Sequence, residues 1–406
     1  MSREKESYKS PNDRQPALLA QQKLKMARSA HAYVRGNTLQ FYKWLRAGSG
    51  HSIPTGPPVW ICGDCHVGNL GPVADAKGRI DIQIRDLDQS VIGNPAHDLI
   101  RLALSLATAA RGSDLPGVTT ATMLEQMIVG YQRALSSSAG NGADLALKPE
   151  SVRVVMRKAA QRTWKHLAKE RLKDVKPTIP LGERFWPLSK TEEKEVRRLF
   201  GDEDLRRLVT SLKFREDGAR VEVLDAAYWM KGCSSLGRLR FAVLLGVGKD
   251  RKNDDFCLID IKEAAPAAAP RSAHRSMPRD NAKRIVQGAL KLAPYLGERM
   301  MPARFLKQSV VIRELLPQDL KLEIDQLTRE EAINAARFLA SVVGTAHARQ
   351  MDASIRKEWC ADLTHNRSKR LDAPSWLWSS VVELMVSHEV AYLEHCRSYA
   401  RTVNPP

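Results

Sequence analysis

Hydrophobic positions change their period twice along this chain. From Leu18 to Leu45 they recur at helical spacing, predicting one or two helices around a Tyr33-Val34-Arg35-Gly36 turn. Trp60 to Cys62 and Ile80 to Ile84 are short apolar or alternating runs bounded by Gly and Pro, the pattern of strands flanking a loop. Helical spacing returns in Pro95 to Ala110, in Thr120 to Leu135, where Met123, Met127, Ile128 and Tyr131 share a face, and in Glu192 to Leu199. From about Lys213 the period drops to two. Arg220 to Leu224, Leu239 to Leu245, Phe256 to Lys262 and Ser309 to Leu315 read as strands, with a helix over Asn281 to Leu296. Beyond Thr328 the chain is helical again, in Glu330 to His347 and Trp376 to Ala400. Ser136 to Gly142 and Pro177 to Pro187 carry the Gly, Ser and Pro of loops. The expectation is an α+β protein in four stretches: a flexible arm over 1–16, a helical part over 17–212, a β-rich lobe over 213–320 and a second helical part over 321–406.

Composition adds two constraints. With 406 residues, 43% hydrophobic and 27% charged, the chain can bury a sizeable core. The first twenty residues lack the apolar run of a secretory signal, and no apolar stretch is long enough to span a bilayer, so a cytoplasmic location is expected. The second constraint is charge: 64 Lys and Arg against 46 Asp and Glu give +18, which favours anionic partners such as nucleotides, nucleic acids or anionic lipids. Basic residues crowd Arg153, Arg157, Lys158, Arg162, Lys165, Lys169, Arg171 and Lys173 at mostly helical spacing, read first as a solvated helix face and second as a docking surface for an anionic polymer. Few aromatics interleave them, so stacking on single strands is not indicated. Nucleic acid as a partner therefore rests on net charge and on no motif.

The chemistry-bearing residues lie in two places. Asp64 and Asn69 stand five apart on the loop after the first strand, in the pattern G-D-x-H-x-x-N with His66, and Asp86 and Asp88 follow the Ile80 to Ile84 strand in RDLDQ. Phosphoryl transfer needs one carboxylate to orient an attacking hydroxyl, an amide oxygen and a second carboxylate for magnesium, a cation on the phosphates, and backbone N–H groups over them. Asp64 fits the first role, Asn69 and Asp86 the metal, and Asp88 a second metal. The rest is downstream: Gly232-Cys-Ser-Ser-Leu-Gly237, with Ser234 and Ser235, forms a glycine-rich turn between strands, and Lys262 follows about twenty-five residues later. Strand alternation puts Leu258, Asp260 and Lys262 on one face and Cys257, Ile259 and Ile261 on the other.

This set resembles aminoglycoside phosphotransferases and related small-molecule kinases. The resemblance implies that Asp98, in HDLIRL, braces the catalytic loop from a helix start, and that the strand ending in Glu314-Leu315-Leu316 runs into a hinge where backbone groups meet adenine. In such kinases the β-rich lobe precedes the catalytic loop; here the order is reversed, which predicts a circularly permuted two-lobed kinase-like fold. Taken in order, GDCHVGNLG, RDLDQ, DLIRLALS, GCSSLGRLRF, IDIKEA, VVIRELLPQDLK and GTAHAR resemble the bacterial domain-of-unknown-function family 2252, from about Tyr33 to the last helices. The resemblance supplies no substrate. His347 and Arg349, in the HAR motif, are expected to brace the loop. One part of the kinase pattern is missing: the Asn281 to Leu296 helix has Gln287 at its centre and no acid to pair with Lys262, leaving Glu263, Glu298 or a bound phosphate for that role.

The expected activity is therefore an ATP- and Mg-dependent phosphotransferase acting on a hydroxyl acceptor, a small molecule ahead of a protein. A nucleotide-binding or inactive scaffold and a nucleotidyl transferase are the alternatives. Cys62-Gly-Asp-Cys65-His66 also fits C-x-x-C-H, the attachment pattern of c-type haem, or half of a thiol or zinc site, although no second C-x-x-C completes a metal set.

Overall fold

The computed structural model describes residues 10–48, 53–137, 148–162, 178–210, 215, 219–248, 255–272, 276–320, 328–364 and 373–403. Three helices open the chain: α1 (Pro11–Ala27), α2 (Ala30–Gly36) and α3 (Thr38–Arg46). Helix thus begins at Pro11, inside the stretch expected to be a flexible arm. The physical reason is tertiary. Arg14 is buried on Glu192, with Nη1 to Oε1 at 2.7 Å and Nη2 to the Pro187 carbonyl at 2.8 Å, and Leu18 is buried in the sheet's hydrophobic layer. Tyr33 to Gly36, read as a turn, is the end of α2; the break falls at Asn37, whose side chain caps α3 by accepting from Gln40 N.

Two small hairpin-like pairs carry the first motif. Strand β1 (Val59–Ile61) pairs antiparallel with β4 (Val91–Gly93), and β2 (Leu70–Ala74) pairs with β3 (Ile80–Ile84). Helices α4 (Ala96–Gly112) and α5 (Gly117–Ser136) share the apolar cluster that both pairs join, and helix α6 (Glu150–Gln161) packs on the β2–β3 pair. The basic run reaches Arg162 in this description; Lys165 to Lys173 lie outside the described residues, as does the loop beyond Ser137.

A six-stranded antiparallel sheet forms the β-rich part. It is built from β5 (Phe185–Trp186), β6 (Arg220–Trp229), β7 (Arg240–Gly248), β8 (Asp255–Glu263), β9 (Met300–Phe305) and β10 (Gln308–Leu315), in the order β5-β6-β7-β8-β10-β9. Helices α7 (Lys190–Leu199) and α8 (Glu203–Thr210) pack on it. The expected alternation holds: Cys257, Ile259 and Ile261 join one apolar layer with Phe241 and Phe305, while Leu258 joins Ala242, Leu244 and Leu315 on the other face. β6 runs on to Trp229, past the expected end at Leu224, because a bulge between Val223 and Asp225 lets pairing with β7 continue.

Helix α9 (Asn281–Leu292) and the short α10 (Pro294–Gly297) divide the single helix expected to Leu296, the break falling at Ala293 before Pro294. Buried Ile285, Val286 and Ala289 of α9 belong to the same apolar cluster as Trp60 and Ile92, so this helix ties the sheet to the helical part. Helices α11 (Arg329–Ala348), α12 (Ala353–Thr364) and α13 (Ser375–Val403) close the chain. A capping box at Thr328 and Glu331 starts α11. Among the described residues no helix is long and apolar enough to cross a membrane. The architecture is mixed α+β, with the sheet inserted between two helical stretches.

Candidate functional site

The loop from Cys62 to Asn69 is fixed by hydrogen bonds to its own backbone. Asp98, fully buried at the start of α4, accepts from Cys62 N at 2.7 Å through Oδ2 and from Gly63 N at 2.9 Å through Oδ1. Tyr42 donates its hydroxyl to the Gly63 carbonyl at 2.5 Å. Gly63 has φ +73°, and a Cβ there would lie 2.2 Å from the Gln89 carbonyl oxygen, so no other residue fits this turn. Behind Asp98 a chain of buried polar groups continues: His347 Nε2 lies 3.2 Å from Oδ2, His347 Nδ1 lies 2.8 Å from the Tyr131 hydroxyl, and Trp359 Nε1 donates to that hydroxyl at 3.2 Å. Asp98 and His347 are thus brought to the loop as expected. Arg349 is not; it is exposed at the end of α11. Its neighbour Gln350 takes that part, accepting from Trp60 N at 2.8 Å and donating to Trp60 O at 3.1 Å.

The loop delivers Asp64 against Arg101, a fully buried arginine one turn beyond Asp98 whose Nε donates to Asp64 Oδ1 at 3.0 Å and whose Nη2 donates to Val34 O at 2.6 Å. Sequence reasoning missed Arg101, although its place three residues after Asp98 on the buried face of α4 was the available signal. Burial pushes the Asp64 carboxyl above the usual range, and the Arg101 charge only partly opposes this. Oδ2 of Asp64 is left with His66 Nε2 at 4.0 Å, and burial holds His66 neutral, well below its ordinary value. Asn69 donates through Nδ2 to the Asp64 carbonyl at 2.9 Å, which leaves its amide oxygen free for a ligand.

Asp86 and Asp88 follow β3 and meet Lys262 from β8. Lys262 Nζ lies 3.4 Å from both Asp86 oxygens and 2.5 Å from Asp88 Oδ2. These two aspartates are the missing acidic partners of the lysine. Glu263 instead accepts from Leu239 N, while Gln287 and Glu298 are exposed. Burial would raise Asp86, yet Lys262, Arg313 and Arg240 outweigh it and hold the carboxyl well below the ordinary range; Asp88 is raised by burial and by the charge of Asp86. The face of α9 toward the site presents Arg284, buried, whose guanidinium donates to the carbonyls of Asp88, Ala265 and Ser90.

The glycine-rich turn joins β6 to β7. Gly232 and Gly237 have φ of +96° and +95°, which a side chain rarely adopts. Ser234 is exposed on the turn, whereas Ser235 is buried with its hydroxyl on Lys231 O at 3.4 Å. Helix α1 holds the turn from outside: Gln22 Nε2 donates to Cys233 O at 3.1 Å and Lys25 Nζ to Gly232 O at 3.0 Å.

These parts enclose one cavity of about 300 Å³. Asp64, Asn69, Asp86 and Asp88 line one side, Ser234 and Arg238 the other. The start of α3, Gln22 and Pro266 to Ala268 complete its rim. Asp86, with nearly half of its side chain open, and the Asn69 amide oxygen are hard oxygen donors of the kind that hold magnesium, which takes one or two carboxylates and keeps water or phosphate elsewhere. Among the described residues no group of three acidic, histidine or cysteine side chains cages a metal by itself. Glu314 and Leu316 do not reach the cavity. The Glu314 carboxylate is buried on Arg215 at 2.7 Å, its carbonyl accepts from Arg299 at 2.9 Å, and Leu316 N donates to Asp319 at 3.4 Å. Cys62 and Cys65 are buried free thiols; their mutual hydrogen bond and burial hold Cys62 far above its ordinary value, the state of an unreactive thiol.

The family model for an uncharacterized protein conserved in bacteria, domain of unknown function 2252, matches residues 14–398, and the chain belongs to that family. No curated protein and no solved structure matches it.

Proposed function

We propose that this member of the 2252 family is a magnesium-dependent phosphotransferase that uses ATP and a hydroxyl acceptor, on a kinase-like fold whose two lobes occur in permuted order. The observation that carries the reading is the convergence, on one cavity, of Asp64, Asn69 and Asp86 from the helical part with Ser234 and Arg238 from the sheet, and with Lys262 bridging the two. Structural ion pairs alone do not need an open carboxylate and a free amide oxygen facing a polar cavity.

In this reading Asp64 Oδ2 accepts the proton of the acceptor hydroxyl while the acceptor oxygen forms its bond to phosphorus and the bridging bond of the donor breaks. Arg101 fixes the other oxygen, Asp64 lines the cavity, and burial raises the carboxyl toward a value useful to a proton acceptor. Asn69 and Asp86 would hold the metal, which when bound neutralises charge on the phosphates. Lys262, Arg238 and the backbone of the 232–237 turn contact the phosphates. Because catalysis of this kind is positioning and charge neutralisation, the braced loop is a substantial part of it. A nucleotide-binding scaffold is the second reading, favoured by one observation: Lys262 is already salt-bridged to both aspartates.

Calorimetric titration with ATP, with and without Mg, separates a nucleotide site from its absence. Saturable binding that needs Mg and disappears in Asp86→Ala is expected; a folded protein that binds no Mg-ATP would sink the reading. Transfer to a panel of hydroxylated acceptors, abolished by Asp64→Asn with ATP binding kept, then separates enzyme from scaffold.

A further inference from the structure

Beyond Lys262, the sheet face that overlooks the site is closed by charge. Asp260 precedes Lys262 by two residues on β8, so the two share a face about 7 Å apart. Arg240 stands opposite Lys262 on β7 and Arg313 opposite Asp260 on β10. Asp260, fully buried, accepts from Arg240 Nε and Nη2 at 2.9 and 2.6 Å and from Arg313 Nε at 3.3 Å. Arg313 then reaches across to the Arg85 carbonyl at 3.2 Å, joining the sheet to the end of β3. The apolar neighbours on this face, Ala242 opposite Asp260 and Val311 opposite Lys262, are themselves buried, so among the described residues no open apolar shelf is left for a flat ring. A base entering this gap would unpair a buried aspartate from two arginines, which is strongly unfavourable.

Several of the groups that could read a base edge are also engaged. At the end of β10 the Glu314 carbonyl accepts from Arg299, and the Leu316 carbonyl accepts from Asp319 N. In the cavity, Asn37 uses both its amide atoms, on Tyr33 and on Gln40 N. Gln22 is tied to Cys233 O and Gln89 to Ala268 N. Among the described residues no aromatic ring lines the cavity, and its volume of about 300 Å³ is at the small end for a ligand site. What the walls do offer is phosphate chemistry: Arg238 and Ser234 beside the Asp86 carboxylate.

Resting on the phosphotransferase reading, we propose that this site recognises its donor by the magnesium-triphosphate group and is indifferent to the base. The nucleoside then lies out past the rim at Gln22 and Pro266 to Ala268, and inorganic tripolyphosphate is a ligand in its own right.

The test is calorimetric titration of the full chain, in Mg, with ATP, GTP, CTP and inorganic tripolyphosphate at 0.15 M salt. The expected result is four dissociation constants within about tenfold of one another, all lost in Asp86→Ala. Arg238→Ala should weaken all four by a similar factor, about tenfold. Among the described residues Arg238 makes no ion pair, so circular dichroism should match the parent. Mg-dependent ATP binding more than a hundredfold tighter than GTP and CTP would overturn the proposal while leaving the phosphotransferase reading intact. Binding of none of the four would overturn both. Binding of tripolyphosphate that persists in Asp86→Ala and fades with salt would be adsorption to a basic protein and would also count against it.

Discussion

At the scale of single residues the site depends on a few buried charges whose partners are backbone groups. Asp98 uses both oxygens on successive N–H groups of the loop and still faces His347. Asp98→Asn keeps the shape but replaces one acceptor by a donor, so one buried N–H of Cys62 or Gly63 loses its partner and faces another donor. A loss of about 2–3 kcal/mol is expected, the upper range for a buried group left unsatisfied. Urea unfolding of the variant beside the parent measures it; a change within about 0.5 kcal/mol, the size of a neutral surface substitution, would show that the loop holds without this brace. This residue was legible from its place at a helix start in HDLIRL. Arg101 offered only its place three residues after Asp98 as a signal and Arg284 none, because the role of a buried arginine depends on which carbonyls and carboxylates the fold brings to it. The acidic partners of Lys262 were invisible for the same reason. Asp86 and Asp88 lie far from it in the chain, and they already had a role as metal ligands in the linear reading.

At the scale of elements, the long helices and the strands β7, β8 and β10 could be read from period alone, since each has one face committed to an apolar layer. The first turns of helix α1 could not: helical spacing is read only from Leu18, and the helix is held by specific polar contacts at both ends. Arg14 pairs with Glu192 near the sheet, while the Tyr392 hydroxyl donates to Ala27 O at 3.1 Å and His395 Nε2 lies 2.9 Å from Lys23 O on the C-terminal helix α13. Between them Gln22 and Lys25 hold the carbonyls of the glycine-rich turn. The helix therefore works as a strap over that turn. Arg14→Ala leaves Glu192 buried without its cation, and breaking such a pair costs about 3–5 kcal/mol. Local loosening should follow: hydrogen exchange in the peptide covering 230–239 should accelerate more than that of α5. Equal acceleration in both would mean that the strap acts only through global stability.

At the scale of the whole molecule, the balance of charge makes stability pH-dependent in a direction that can be worked out. Three histidines are held neutral: buried His66 well below its ordinary value, and half-buried His97 and buried His388 down to about 4, all chiefly through loss of water around the ring. Below the ordinary histidine value of about 6.5 the unfolded chain binds protons that the folded chain refuses, so stability falls as pH drops from there toward 4. Each such histidine contributes up to about 1.4 kcal/mol per pH unit in that window. The net charge of +18 works in the same direction by self-repulsion, but salt screens that contribution and leaves the buried groups almost untouched. Thermal melts at pH 7, 6 and 5 in high salt should therefore still show a marked fall. His388 separates the two causes, because among the described residues its Nδ1 bonds only Leu384 O of its own helix, at 2.9 Å, and its Nε2 has no partner. His388→Leu should remove close to one of three protons taken up on unfolding at pH 5, so its stability should depend on pH by about a third less than the parent's. An unchanged slope would mean that His388 is protonated in the folded protein, and that the helical part around α13 is more open to water than its packing against α4 implies.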